Sequence, residues 1–179
     1  MTVFKNLSIR YKLLFLATAP LLLALFFILA EVSKNYHALD AMHQAQSLGR
    51  LATTASDLVH EMQKERGFSA GFLGSKGKKF STDLNTQRNE TDNRLVQYTQ
   101  FVDQLETKNY DPRLSALLSS ITVHLDKLGE IRKGITRQSL PVSKAIGFYT
   151  SANALLLNIS GVISTTIDEP RISNQISAY

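Results

Sequence analysis

From about residue 45 onward, apolar side chains recur every three or four positions, the period of a helix that buries one face, rather than every second position as a strand would need. The first series runs Leu48, Leu51, Ala55, Leu58, Met62, Glu65, Ser69, Phe72. The second is Leu84, Arg88, Thr91, Leu95, Tyr98, Val102, Leu105, and the third is Leu114, Leu117, Ile121, Leu125, Leu128, Ile131, Ile135. The fourth carries Ile146, Tyr149, Asn153, Leu156, Ile159, Ile163 and Ile167. Between them stand "GSKGKK", "NYDP" and Pro141, and Pro170 ends the last series. In the second break Asp111 suits an N-cap and Pro112 the first helical position. Four long helices with short connections predict an all-α fold over residues 45–168, an antiparallel up-down four-helix bundle with turns near Gly77, Tyr110 and Leu140.

Ahead of these series, Leu13 to Ala30 form a run of eighteen residues without a charge, about enough to cross a bilayer as a helix. Lys5, Arg10 and Lys12 precede the run, while Glu31 and Lys34 cancel after it. The positive-inside rule then predicts residues 1–12 cytoplasmic, a transmembrane helix over 13–32, and residues 33–179 in the periplasm, held by the inner membrane of a bacterium. A cleaved signal peptide is the rival reading. It is disfavoured because the run is long and Ile28-Leu29-Ala30 is a poor cleavage site.

Composition narrows the function. The chain of 179 residues has no cysteine, which excludes disulfides and thiolate chemistry. His37, His43, His60 and His124 show no ligand spacing, so no metal or other cofactor is expected, and no grouping of serine, histidine and acid suggests an enzyme. The net charge of +5 is mild. Basic residues are scattered along the chain or sit beside the apolar run, and nucleic-acid binding is not expected. Lys76, Lys78 and Lys79 read as a solvated loop.

The stretch "EMQKERGFSAGFLGSKG", residues 61–77, is the oddity: a Glu-Arg pair interrupts a packing face, followed by small residues. In an antiparallel hairpin, facing residues have numbers that sum to about twice the turn position. Arg66 then faces Arg88, Arg88 faces Arg132, and Arg132 faces the neighbourhood of Tyr149. Clustered arginines require anionic compensation. One reading is an internal salt-bridge network, with Glu65 clasping Arg88 and Asp92 nearby. The other is a small-anion pocket of Arg66, Arg88 and Arg132, with Tyr149 and Asn153 adding neutral hydrogen bonds, since guanidinium forks match planar oxyanions. Gly67, Ser69, Ala70, Gly71 and Gly74 predict a face that a neighbouring helix approaches closely.

The blocks "LVHEMQKERGFSAGFLGSKG" (58–77), "QRNETD" (87–92), "IRKGI" (131–135) and "FYTSANALLLNI" (148–159) resemble the nitrate- and nitrite-sensing domain family, with Phe68 where leucine is usual. The resemblance covers residue 45 to the end. It implies an all-helical periplasmic sensor, the N-terminal region of a bacterial transmembrane receptor. Such sensors precede a chemoreceptor, histidine kinase, nucleotide cyclase or RNA-binding antiterminator output. It also implies that Arg66 is an anion ligand and that a second Glu-Arg motif beyond Tyr179 completes the site, so that the bundle is truncated here.

Two functions follow as expectations. The first is the ligand-sensing extracytoplasmic part of a signal-transduction receptor, responding to nitrate or nitrite, with the membrane and a second copy of the chain as partners. The second is a membrane-tethered bundle for dimerisation or docking that binds no ligand.

Overall fold

The longest helix, α1, runs without interruption from Ile9 to Gly74 and contains Pro20. It belongs to a computed structural model that describes residues 8–167. Lys5 and Pro170 lie outside the described residues, as do the side chains of Tyr11, Lys12, His37 and Ile167. The chain divides into two compact units, residues 1–45 and 46–179. In the first, α1 presents large apolar side chains to the outside, among them Leu14, Leu21, Phe26 and Leu29.

The second unit is the bundle. The C-terminal half of α1 packs with α2 (Ser81–Gln104), α3 (Pro112–Leu125), α4 (Leu128–Thr136) and α5 (Val142–Ile167). The expected series supply its core: Leu51, Leu58, Met62, Leu114, Ile121, Ile135, Leu156 and Ile159 are almost completely buried. Antiparallel pairing is visible in individual bonds. Gln87 on α2 donates to the Glu61 carboxylate on α1 at 2.6 Å, and the His124 ring on α3 stacks on Phe148 of α5 with centroids 4.5 Å apart. The third leg differs from expectation. It is broken at Asp126 and Lys127, where the amide of Lys127 bonds to the carbonyl of His124, only three residues back, tightening the ladder. Asp111 caps α3 as expected, accepting from the Arg113 amide, with Pro112 in the first turn.

The turns after α1 and α4 close in the same way. Gly77 N–H bonds to Phe72 carbonyl and Lys76 N–H to Leu73 carbonyl, while Ser139 bonds to Gly134 and Gln138 to Ile135. This paired closure needs a left-handed residue after the helix, and Lys76 and Gln138 take it at φ 52° and 53°. Gly77, at φ 76°, lies against the Gln138 side chain, and a Cβ there would fall 2.0 Å from Gln138 Nε2.

Ser69 is buried in the bundle, but the glycines after Arg66 do not make room for a helix. A Cβ on Gly67 or Gly74 would meet nothing within 4 Å, whereas one on Gly71 would sit 2.7 Å from the ring of Phe80. The close approach is made by an aromatic ring from the turn.

A buried carboxylate held by four helices

Helical geometry places Glu65 and Arg66 about 100° apart around α1, so only one of them can face the core. Glu65 does, and it is fully buried. Arg132 on α4 grips it with both arms of its fork, Nε to Oε1 at 2.7 Å and Nη2 to Oε2 at 2.8 Å. Tyr149 on α5 donates its hydroxyl to Oε1 at 2.8 Å. Arg88 on α2 completes the charge balance, with Nε 3.8 Å from the same oxygen. The remaining guanidinium nitrogen of Arg132, Nη1, donates to Asp92 Oδ1 at 2.6 Å. Arg88 also donates to Thr136 Oγ1 at 2.9 Å and to the Arg132 carbonyl at 3.3 Å. One carboxylate thus ties α1 to the three other legs.

The electrostatics follow from these contacts. Burial works to lower the pKa of Arg132, but the hydrogen bonds and charge of Glu65, then those of Asp92, outweigh it and raise the value. Arg88 lacks a comparable carboxylate bond, and burial wins there, lowering its pKa against the attraction of Glu65. Burial, then the negative charge of Glu65, raises the Tyr149 phenol, which stays protonated and able to donate.

Of the five residues expected in an anion pocket, the structure brings Arg88, Arg132 and Tyr149 together, around Glu65. Arg132 rather than Arg88 is the main partner of that carboxylate. Arg66 lies outside this layer, half-exposed, and donates from Nη1 to Thr150 Oγ1 of α5 at 3.1 Å. Asn153 is buried, with neither amide atom hydrogen-bonded. Ser69 Oγ is likewise buried and unpartnered. The sequence reading did not single out Thr150 or Thr136; their one signal is a hydroxyl next to, or one turn from, a residue of the layer. Among the described residues no group of histidine and acid is placed to hold a metal.

The chain is similar to the nitrate regulatory protein of Klebsiella oxytoca, at 31% identity over 140 residues that make up 76% of this chain and 34% of the relative. Its fold matches the NasR transcription antiterminator with a TM-score of 0.64 at 24% identity, covering 78% of this chain and 39% of that one. The chain therefore spans between a third and two-fifths of the length of these relatives.

These matches correct several expectations. The relatives are named as a nitrate regulatory protein and a transcription antiterminator, and neither name is that of a transmembrane receptor. The reading of this chain as a receptor with a membrane-spanning helix at 13–32, a periplasmic domain and a membrane partner is overturned, and so is the exclusion of nucleic acid. The physical weakness lay in the apolar run. Val142–Thr165 is also long and apolar enough to cross a membrane by length and composition, yet it packs in the bundle through Ala145, Tyr149, Ala152 and Leu156. Apolar length alone does not distinguish the two situations. The all-α four-helix bundle stands. The reading as a docking bundle without a ligand is overturned as well, because residues 57–179 match the family model described as nitrate and nitrite sensing, and the chain belongs to that family.

Proposed function

We propose that this chain is the nitrate- or nitrite-responsive module of a regulatory protein, with Arg66 as its principal anion ligand. The observation that carries the reading is a difference between arginines. Arg132 is committed to Glu65 and Asp92, and Arg88 stands beside Glu65. Arg66 has a hydroxyl as its bonded partner and no carboxylate within ion-pairing distance among the described residues. A half-exposed guanidinium with a free edge matches a planar oxyanion in bidentate geometry. Thr150 lies beside it, and Asn153, three residues along α5, supplies an unused donor and acceptor. Arg88, Arg132 and Tyr149 serve by neutralising Glu65, which fixes the rotation of α1 and hence the direction of Arg66.

An anion bridging α1 and α5 favours one packing of the bundle over another, in proportion to its differential affinity for the two. Through the regulatory protein that carries such a module, that shift controls transcription.

Thermal melts and isothermal titration with nitrate and nitrite, against chloride and acetate, test the proposal. Nitrate or nitrite is expected to raise the Tm saturably. Arg66→Lys keeps the charge but loses the fork, and it should keep the fold while losing most of the response. Full anion-dependent stabilisation in Arg66→Lys would falsify the assignment of Arg66.

A further inference from the structure

The two turns that close in the same way lie at one end of the bundle, and they touch where Gln138 rests on Gly77. Residues 75–83 carry Lys76, Lys78, Lys79 and Asp83, and residues 133–144 carry Lys133, Arg137 and Lys144. Six positive charges against one negative leave this end at +5, equal to the formal net charge of the whole chain. All six cations are exposed. None of them forms an ion pair among the described residues, although other surface cations do, as Lys64 with Glu61 and Arg94 with Asp57.

This end is also the strained part of the backbone. The described non-glycine residues with positive φ are Lys76, Phe80 and Gln138, all of them in these two turns. A bulky residue held at φ 69°, as Phe80 is, costs free energy that the surroundings must offset. Its ring packs on Gly71 and near Phe68, 6.1 Å between centroids, yet remains 43% exposed. Ser75 braces the loop, its hydroxyl donating to Phe72 carbonyl at 3.0 Å and accepting from Lys79 N–H at 3.0 Å. Mutually repelling lysines are therefore presented by a shaped loop rather than a free one.

We infer that this basic end is a docking surface for the phosphate backbone of single-stranded nucleic acid. Five of the six cations are lysines. Lysine is depleted at protein–protein interfaces, whereas it binds phosphate as a point charge. The exposed ring of Phe80 beside Lys78 and Lys79 offers a face on which a base can stack without sequence preference. The surface is separate from Arg66 and from the Glu65 layer, so the inference stands whether or not the chain binds nitrate.

Fluorescence anisotropy of the 179-residue chain with a labelled oligouridylate of about twelve nucleotides tests it. With about four phosphates neutralised, log K should fall against log salt with a slope of about −3, or about 60-fold weaker binding between 50 and 200 mM salt. Replacing Lys76, Lys78 and Lys79 together by Gln should make the slope shallower by about 2, and replacing Arg137 and Lys144 by Gln should make it shallower by about 1. Lys108→Gln, in the turn at the opposite end, should leave it unchanged. All these side chains are exposed, so the fold should survive, which circular dichroism checks. The inference is overturned by an unchanged slope in the tip variants, an equal loss in Lys108→Gln, or equally tight binding of a labelled oligoglutamate. Binding to phosphatidylserine vesicles in preference to the RNA overturns it too.

Discussion

At the scale of single residues, the Glu-Arg pair divides its work between inside and outside. Glu65 is buried and needs its cations more than they need it, because an unpaired buried carboxylate keeps its full desolvation cost. Arg132→Ala should therefore destabilise the bundle by about 3 kcal/mol, measured by urea denaturation. Arg88→Ala should cost less, about 1 kcal/mol, because it leaves the two-armed grip of Arg132 in place. Equal costs would mean that the carboxylate shares its charge evenly between the two arginines. This ranking reverses the one that sequence spacing suggests, in which Arg88 is the partner of Glu65. Spacing gives the level of a residue in a bundle to within a turn. It does not say which of two long side chains at that level reaches further.

Among elements, the passage from α1 to α2 shows how one glycine differs from the next. Gly71 lies under the Phe80 ring, and Gly74 faces open space. Gly71→Ala should displace the ring and cost about 1–2 kcal/mol. Gly74→Ala should be neutral or stabilising by a few tenths up to about 1 kcal/mol, since alanine restricts the unfolded chain more than glycine. Thermal melts of the two single variants make the comparison. The start of α3 has its own pH dependence. The side-chain and backbone hydrogen bonds from Arg113 hold the Asp111 carboxyl below its ordinary value of 3.8. A depressed carboxylate contributes stability above the unfolded pKa and loses it as pH falls through the folded one. The cap should therefore be intact at neutral pH and fray below about pH 4, read from the amide resonance of Arg113. Asp111→Asn should remove that pH dependence.

For the molecule as a whole, the core begins at Leu48 and every buried apolar residue described lies beyond it. The chain lacking residues 1–45 should therefore keep a cooperative melt and its helical circular dichroism, with a Tm within about 2 °C of the full chain, as expected when a change removes under 1 kcal/mol. Loss of cooperativity would show that the first unit contributes to the stability of the second. The same scale explains the charge distribution. Residues 75–83 and 133–144 are far apart along the chain, and each alone reads as an ordinary solvated loop. An up-down bundle returns its first and third turns to one end, and the two loops become one surface.

The sequence by itself determined the class of fold, the four legs and the positions of the turns, because the three- and four-residue apolar period and the Gly, Pro and Asp punctuation are local signals. It also determined that Arg88, Arg132 and Tyr149 share a level, since helix rise and turn position fix that arithmetic. Tertiary structure decided what spacing cannot express: that Glu65 and not Arg66 turns inward, that Arg132 is its clasp, and that Gly71 receives a ring instead of a helix. It also decided that scattered lysines form a single +5 end. Each of these depends on side-chain direction and on contacts between residues distant in the chain, and those exist only once the helices have packed.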